Sequence, residues 1–159
     1  MYIGISSLRG RLFLSGNECL RYKIEFPVFA ECDDINSFYL GIAQSCEKFC
    51  RERLLSELQA RQNRGERYSY EMGFRVTHSD SYEVSILFCV RLRLGRDILF
   101  ERAFANNWGI DDQQMIPPRI LAKKYGGKRR GVKKDAGVFL SRGKLKFIEN
   151  HDITDILSK

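Results

Sequence analysis

The sequence predicts an α+β domain: a single antiparallel sheet of about six to seven strands, with one long helix packed on one face and one short helix. Three observations carry that class. Apolar residues recur at every second position in several stretches, as in Tyr68, Tyr70, Met72, Phe74 and Val76. One stretch, from Ile35 to about Arg64, spaces them by three and four instead. The links between the alternating stretches from Tyr68 to Phe104 are far shorter than the dozen or more residues a parallel crossover needs.

The elements follow in order. "RLFLSGNECLRYKIEF" reads as two strands joined at Ser15-Gly16-Asn17, with Leu20, Tyr22, Ile24 and Phe26 on one face. After Pro27, Asp33 and Asp34 are placed to cap a helix, where carboxylates favour its positive end. Ile35, Phe38, Tyr39, Ile42, Cys46, Phe49 and Cys50 give that helix an apolar stripe, extended by Leu54, Leu55 and Leu58, and Gly65 stops it. Three strands with short links then form a meander: "YSYEMGFRVT", "YEVSILFCVRLRLG" and "DILFERAF". Pro117 and Pro118 open a short helix that ends before Gly126. "GVFLSRGKLKFIE" closes the order as a tight hairpin, followed by a short tail.

A chain of 159 residues with 43% apolar content fits one domain, 1–159, with its core from about 11 to 150. No apolar run approaches the roughly 18 residues that span a bilayer, and Arg9 and Arg11 interrupt any signal-like core, so the chain reads as soluble and cytoplasmic. Five cysteines, an odd number, fit reduced thiols better than a closed disulfide framework.

Charge is concentrated in one place. The chain has 27 Lys plus Arg against 20 Asp plus Glu, and the loop 123–134, "KKYGGKRRGVKK", holds seven of the cations and no acid. Without it the two signs balance. Lys123, Lys124, Lys128, Arg129, Arg130, Lys133 and Lys134 are therefore the candidate contacts for nucleic acid or another polyanion, and a solvated charged loop is the plainer reading. If all seven met phosphates, log affinity would fall with log salt at a slope of roughly −6.

Other chemistries find little support. Cys46 and Cys50 lie four apart on the helix and suggest a pair of metal ligands, yet zinc wants two more at recognisable spacing, and buried small side chains explain them better. His78, in "THSDS", reads as a turn residue, and no catalytic residue is assigned. Gly126 and Gly131 have a phosphate-loop spacing, but Val132 stands where Lys is required, and no dinucleotide fingerprint occurs. The acid pairs Asp33-Asp34 and Asp111-Asp112 both precede helices and read as caps. No cofactor or metal is expected. Trp108, in the polar stretch "ANNWGIDD", reads either as an interaction anchor or as a plug closing one end of the core.

From about Arg21 to Glu149 the chain resembles the extracytoplasmic domain of RsiV-like anti-sigma factors, a domain of poorly defined function also found in front of some peptidoglycan deacetylases. The resemblance is carried by "YKIEFPVF", "INSFYLGIAQSCEKFC", "YEVSILFCVRLRL", "ERAFANNWGIDDQQMIPPRIL" and "GVFLSRGKLKFI". The family carries a Gly-Gly-Ala-His stretch where this chain has "LGRD", and a Pro-Tyr-Gly segment where it has "NHDITDILSK", so no binding residue is carried over. The resemblance implies an α+β fold and a ligand- or protein-binding role in a bacterial family, some of whose relatives recognise lysozyme; the favoured reading of the chain is a non-enzymatic binding or regulatory module whose partner is a protein or an envelope-related ligand.

Overall fold

Alternation of apolar residues does build the sheet, and the long helix does lie on it. The computed structural model describes residues 1–61, 65–126, 137–149, 152 and 156–157. Strands β1 (Ile3–Leu14), β2 (Asn17–Phe29), β3 (Tyr68–Ser79), β4 (Glu83–Leu94) and β5 (Asp97–Gly109) form a five-stranded sheet in sequence order. Among the described residues, strands β6 (Val138–Ser141) and β7 (Lys144–Phe147) pair only with each other. Between β2 and β3 the chain runs through α1 (Asp33–Lys48), a π-helical stretch (Phe49–Leu54) and α2 (Leu55–Ala60) without a break; α3 (Pro118–Tyr125) precedes the hairpin.

Two features correct the single antiparallel sheet that the sequence suggests. First, β2 and β3 are parallel, from Leu20 opposite Tyr68 to Ile24 opposite Met72. The helix between them carries the chain back to the side from which β2 started, and such a crossover makes neighbours parallel. Second, the closing hairpin forms a layer of its own on the sheet face opposite α1. Its first strand is buried on both sides: Phe139 packs with Leu87 and Cys89 of β4, while Val138 and Leu140 pack with Leu121 of α3. A strand covered by the sheet on one side and a helix on the other has no need of a sheet edge.

Polar side chains fix that hairpin. Ser85 Oγ donates to Asn107 Oδ1 across β4 and β5 (2.5 Å), Asn107 Nδ2 donates to the Val138 carbonyl (3.0 Å), and the Leu140 amide donates to Ser85 Oγ (3.1 Å). Ser85 and Asn107 are both buried, so each bond offsets a desolvated group that would otherwise stand alone.

On the other face the main core gathers Tyr22, Ile24, Tyr68, Met72, Ile86 and Phe88 beneath Ile35, Tyr39, Ala43, Cys50, Leu54 and Leu58. The buried helix positions fall mostly four apart. A four-residue step overshoots a 3.6-residue turn by about 40°, and the π turn, with more residues per turn, removes the drift and keeps Cys50 and Leu54 on the sheet. The stretch is held laterally as well. The Tyr22 hydroxyl donates to Glu47 and accepts from Arg51 Nη2 (2.7 Å), and its ring lies across Gly10, the residue opposite it on β1. Burial, then the Glu47 carboxylate, push the Tyr22 phenol up to about 12.

Local boundaries differ from expectation where side chains mislead. The edge strand β1 starts at Ile3, eight residues before the predicted strand at Arg11, through a stretch whose Gly and Ser residues mask its pairing with β2. Asp33 and Asp34 lie in the first turn of α1 and do not cap it; the Asp34 amide is satisfied by Gln113 Oε1 (3.0 Å). Asp111 and Asp112 do not cap α3 either, because that helix begins at Pro118; Asp112 Oδ1 accepts from the Gln114 amide (3.1 Å) in a turn.

Candidate functional site

The helix covers only part of its sheet face. It packs mainly on β2, and the same face continues outward through rows set by strand register: Tyr70, Leu92 and Phe100 in one, Met72, Val90 and Arg102 in the next, and Phe74, Phe88 and Phe104 in the one after. Between the outer flank of α1 and this floor lies a groove of about 560 Å³ lined by Phe38, Gly41, Ile42, Ser45, Cys46, Phe49 and Tyr70. Phe38, Phe49 and Phe100 are 36%, 39% and 42% exposed, so the aromatic lining continues onto the open sheet. The sequence pattern puts Phe38 and Phe49 in the buried helix stripe. They stand beside it, because Tyr39 and Cys50 take the inward positions.

Ring contacts stiffen the surroundings. Phe88 and Phe104 stack at 5.1 Å, Phe49 lies 6.1 Å from Tyr70, and Phe38 meets Trp108 edge-on at 5.0 Å. Trp108 itself is 5% exposed, lies in β5 and not in a loop, and donates from Nε1 to the Tyr39 hydroxyl (2.7 Å). The face presented to solvent at that end of the groove is the ring of Phe38.

One polar pair faces the groove. Tyr70 and Cys46 both line it. Burial raises the Cys46 thiol, partly offset by the neighbouring Tyr70 hydroxyl, and burial raises the Tyr70 phenol, so both are neutral near pH 7. A protonated thiol beside a neutral phenol offers hydrogen bonds and no ready nucleophile. Burial also pushes Cys50, on the next turn, up to about 12. All five cysteines are free thiols, and among the described residues no three His, Cys, Asp or Glu side chains gather as a metal set.

Gly41 is the informative member. It sits inside α1 with no positive φ, and a Cβ built there meets nothing within 4 Å. A glycine in a helix interior costs stability relative to alanine. Among the described residues no neighbouring group requires it.

The predicted basic contacts fall elsewhere. Lys123 and Lys124 lie in the last turn of α3, and Lys124 Nζ donates to Glu83 Oε1 (2.5 Å), whose other oxygen accepts from the Tyr125 hydroxyl (2.5 Å). That bond raises the Lys124 ammonium above its ordinary value and engages its charge with the end of β4. Lys128, Arg129, Arg130, Lys133 and Lys134 lie outside the described residues. On the hairpin side a polar cleft of about 930 Å³ is lined by Arg142, Lys144 and Lys146 among others, with Arg75 paired to Asp152 (2.8 Å). Among the described residues no helix is long and apolar enough to cross a membrane.

No family model matches the chain, and no curated protein does. Among solved structures, the chain is similar to a member of the DUF3298 family from Bacteroides fragilis, with a TM-score of 0.51 and 10% identity. The match covers 75% of this chain and 60% of that one, so the chain spans less than two thirds of the length of the protein it matches. At that identity the likeness is one of fold: an α+β domain with a helix-covered sheet.

Proposed function

We propose that the chain is a non-enzymatic binding or regulatory module whose partner, a protein, inserts apolar side chains into the groove beside α1. The observation that carries the reading is Gly41: a helix position without a side chain where the fold leaves space, inside a lining of exposed aromatic rings. The neutral Tyr70–Cys46 pair supports binding over catalysis. The resemblance to RsiV-like extracytoplasmic domains supports a protein or envelope-related ligand, and the likeness to a DUF3298 member adds a shared fold.

The test places a photocrosslinking residue at Phe49 in cells and compares the adducts with those of the same chain carrying Gly41→Phe, which fills the groove. A discrete adduct abolished by Gly41→Phe, with folding unchanged, is expected. An adduct pattern indifferent to Gly41→Phe refutes the reading.

A second reading rests on the charge distribution. The net charge of +7 equals the seven cations of the loop 123–134, and Arg142, Lys144 and Lys146 add three more at the hairpin. This supports polyanion or nucleic-acid binding, for which generic DNA and RNA are titrated across a salt series with and without reversal of those charges. Absence of binding at about 50 mM salt removes it.

A further inference from the structure

The outer edge of the sheet, β5, is long, apolar and open. Ile98, Leu99 and Phe100 follow one another along it at 51%, 50% and 42% exposure. The other edge, β1, carries Arg9 and Arg11 along its middle, the kind of charge that keeps an exposed strand from pairing. In β5 the bond from the Ile116 amide to the Asn107 carbonyl, and that from the Gly109 amide to the Gln114 carbonyl, show which way the backbone faces. Odd-numbered residues there point away from β4. Register with β4 is unbroken from Phe100 to Gly109, so Glu101, Ala103 and Ala105 also turn both N–H and C=O outward. Among the described residues nothing pairs with them.

We propose that this edge pairs antiparallel with β5 of a second copy of the chain, across a two-fold axis at Ala103. The unmet groups are a row of backbone donors and acceptors, which only another extended strand satisfies in full. The side chains select a self-pairing. About Ala103, Glu101 falls opposite Ala105 of the second copy, and Arg102 falls opposite Phe104 of the second copy, twice over by symmetry. No like charges oppose one another. Arg102 already lies over the ring of Phe100 at 5.5 Å, so its guanidinium is disposed toward aromatic faces on this side of the sheet. The pairing forms about six inter-chain hydrogen bonds and ends where Asn107 is taken by Ile116. Because the axis stands normal to the sheet, both helices rise on the same side, and the two aromatic grooves open toward one surface. The inference does not depend on what the grooves hold.

The test is the mass of the full chain by sedimentation equilibrium from micromolar to submillimolar concentration. A species of twice 18.5 kDa is expected. Ala103→Pro removes an outward N–H without taking a bond from β4, and should raise the dimer dissociation constant at least about 100-fold with the circular dichroism spectrum retained. Arg102→Glu, which leaves the backbone intact, should weaken it as well and serves if the proline variant misfolds. Phe13→Asp, on the other edge, should leave the dimer unchanged. A monomer at every concentration overturns the proposal, as does a dimer that persists in the folded Ala103→Pro and Arg102→Glu variants or is lost in Phe13→Asp.

Discussion

Replacing Gly41 by alanine should make the protein more stable, although the site is part of the candidate groove. The position is helical, has no positive φ, and a Cβ there meets no atom within 4 Å, so the substitution adds neither clash nor packing. What remains is backbone entropy, about 0.5–1 kcal/mol in favour of alanine. For a domain of this size that corresponds to a rise in Tm of roughly 2–4 °C at the upper figure. Gly10→Ala is the counterpart of opposite sign. Its Cβ would overlap the ring of Tyr22, which is 1% exposed and tied to Glu47 and Arg51. Displacing that ring costs about 1–3 kcal/mol in overpacking and frees the π-helical stretch from the strand beneath. Urea denaturation of the two variants and wild type in parallel measures both. A destabilised Gly41→Ala means the helix face is assigned wrongly or the space is occupied, and a neutral Gly10→Ala means Tyr22 does not cross β1.

Three other outcomes follow from the same structure. Burial pushes Cys50 up to about 12 and Cys89 up to about 11, so near pH 8 the native protein should react with a thiol reagent far more slowly than the unfolded chain, in which all five cysteines react at once. Asp80 accepts from the amides of Tyr82 and Glu83, which hold its carboxyl below its ordinary 3.8; its contribution is complete above that value and is lost as pH falls through the lower folded one. Asp80→Asn should therefore be less stable than wild type at neutral pH and converge with it in strong acid, as followed by thermal melts. Ser85→Ala orphans the buried Leu140 amide and the Asn107 side-chain Oδ1, and should cost about 1–3 kcal/mol in urea unfolding while loosening the closing hairpin, detected by faster proteolysis near Ser141.

Much of the secondary structure is legible because burial on one face writes a period. Tyr22, Ile24 and Phe26, or Met72 and Phe74, alternate because the helix covers one side of their strands. Strand β4 shows the limit of that signal. Reading Val84, Ile86 and Phe88 as the buried face misses Leu87 and Cys89, which are equally buried beneath the hairpin; the near-continuous apolar run "VSILFCV" was the available sign of cover on both sides. Trp108 reads as a loop residue because Asn106 and Asn107 beside it are polar. Asn107 is in fact buried, and its polarity is spent on Ser85 and the backbone of β6. The groove had no local signature. Phe38 and Phe49 look like core residues at helical spacing, and Gly41 looks like an incidental glycine.

Pattern within the chain thus determines which segments extend, which coil, and which way each presents its apolar side, since those follow from neighbours a few residues apart. Whether β2 and β3 run parallel, which face receives the hairpin, and how much of the sheet the helix leaves uncovered were decided only on folding. Those depend on the length and path of connections and on groups such as Ser85 and Leu140, which lie far apart in sequence and meet only when the layers close.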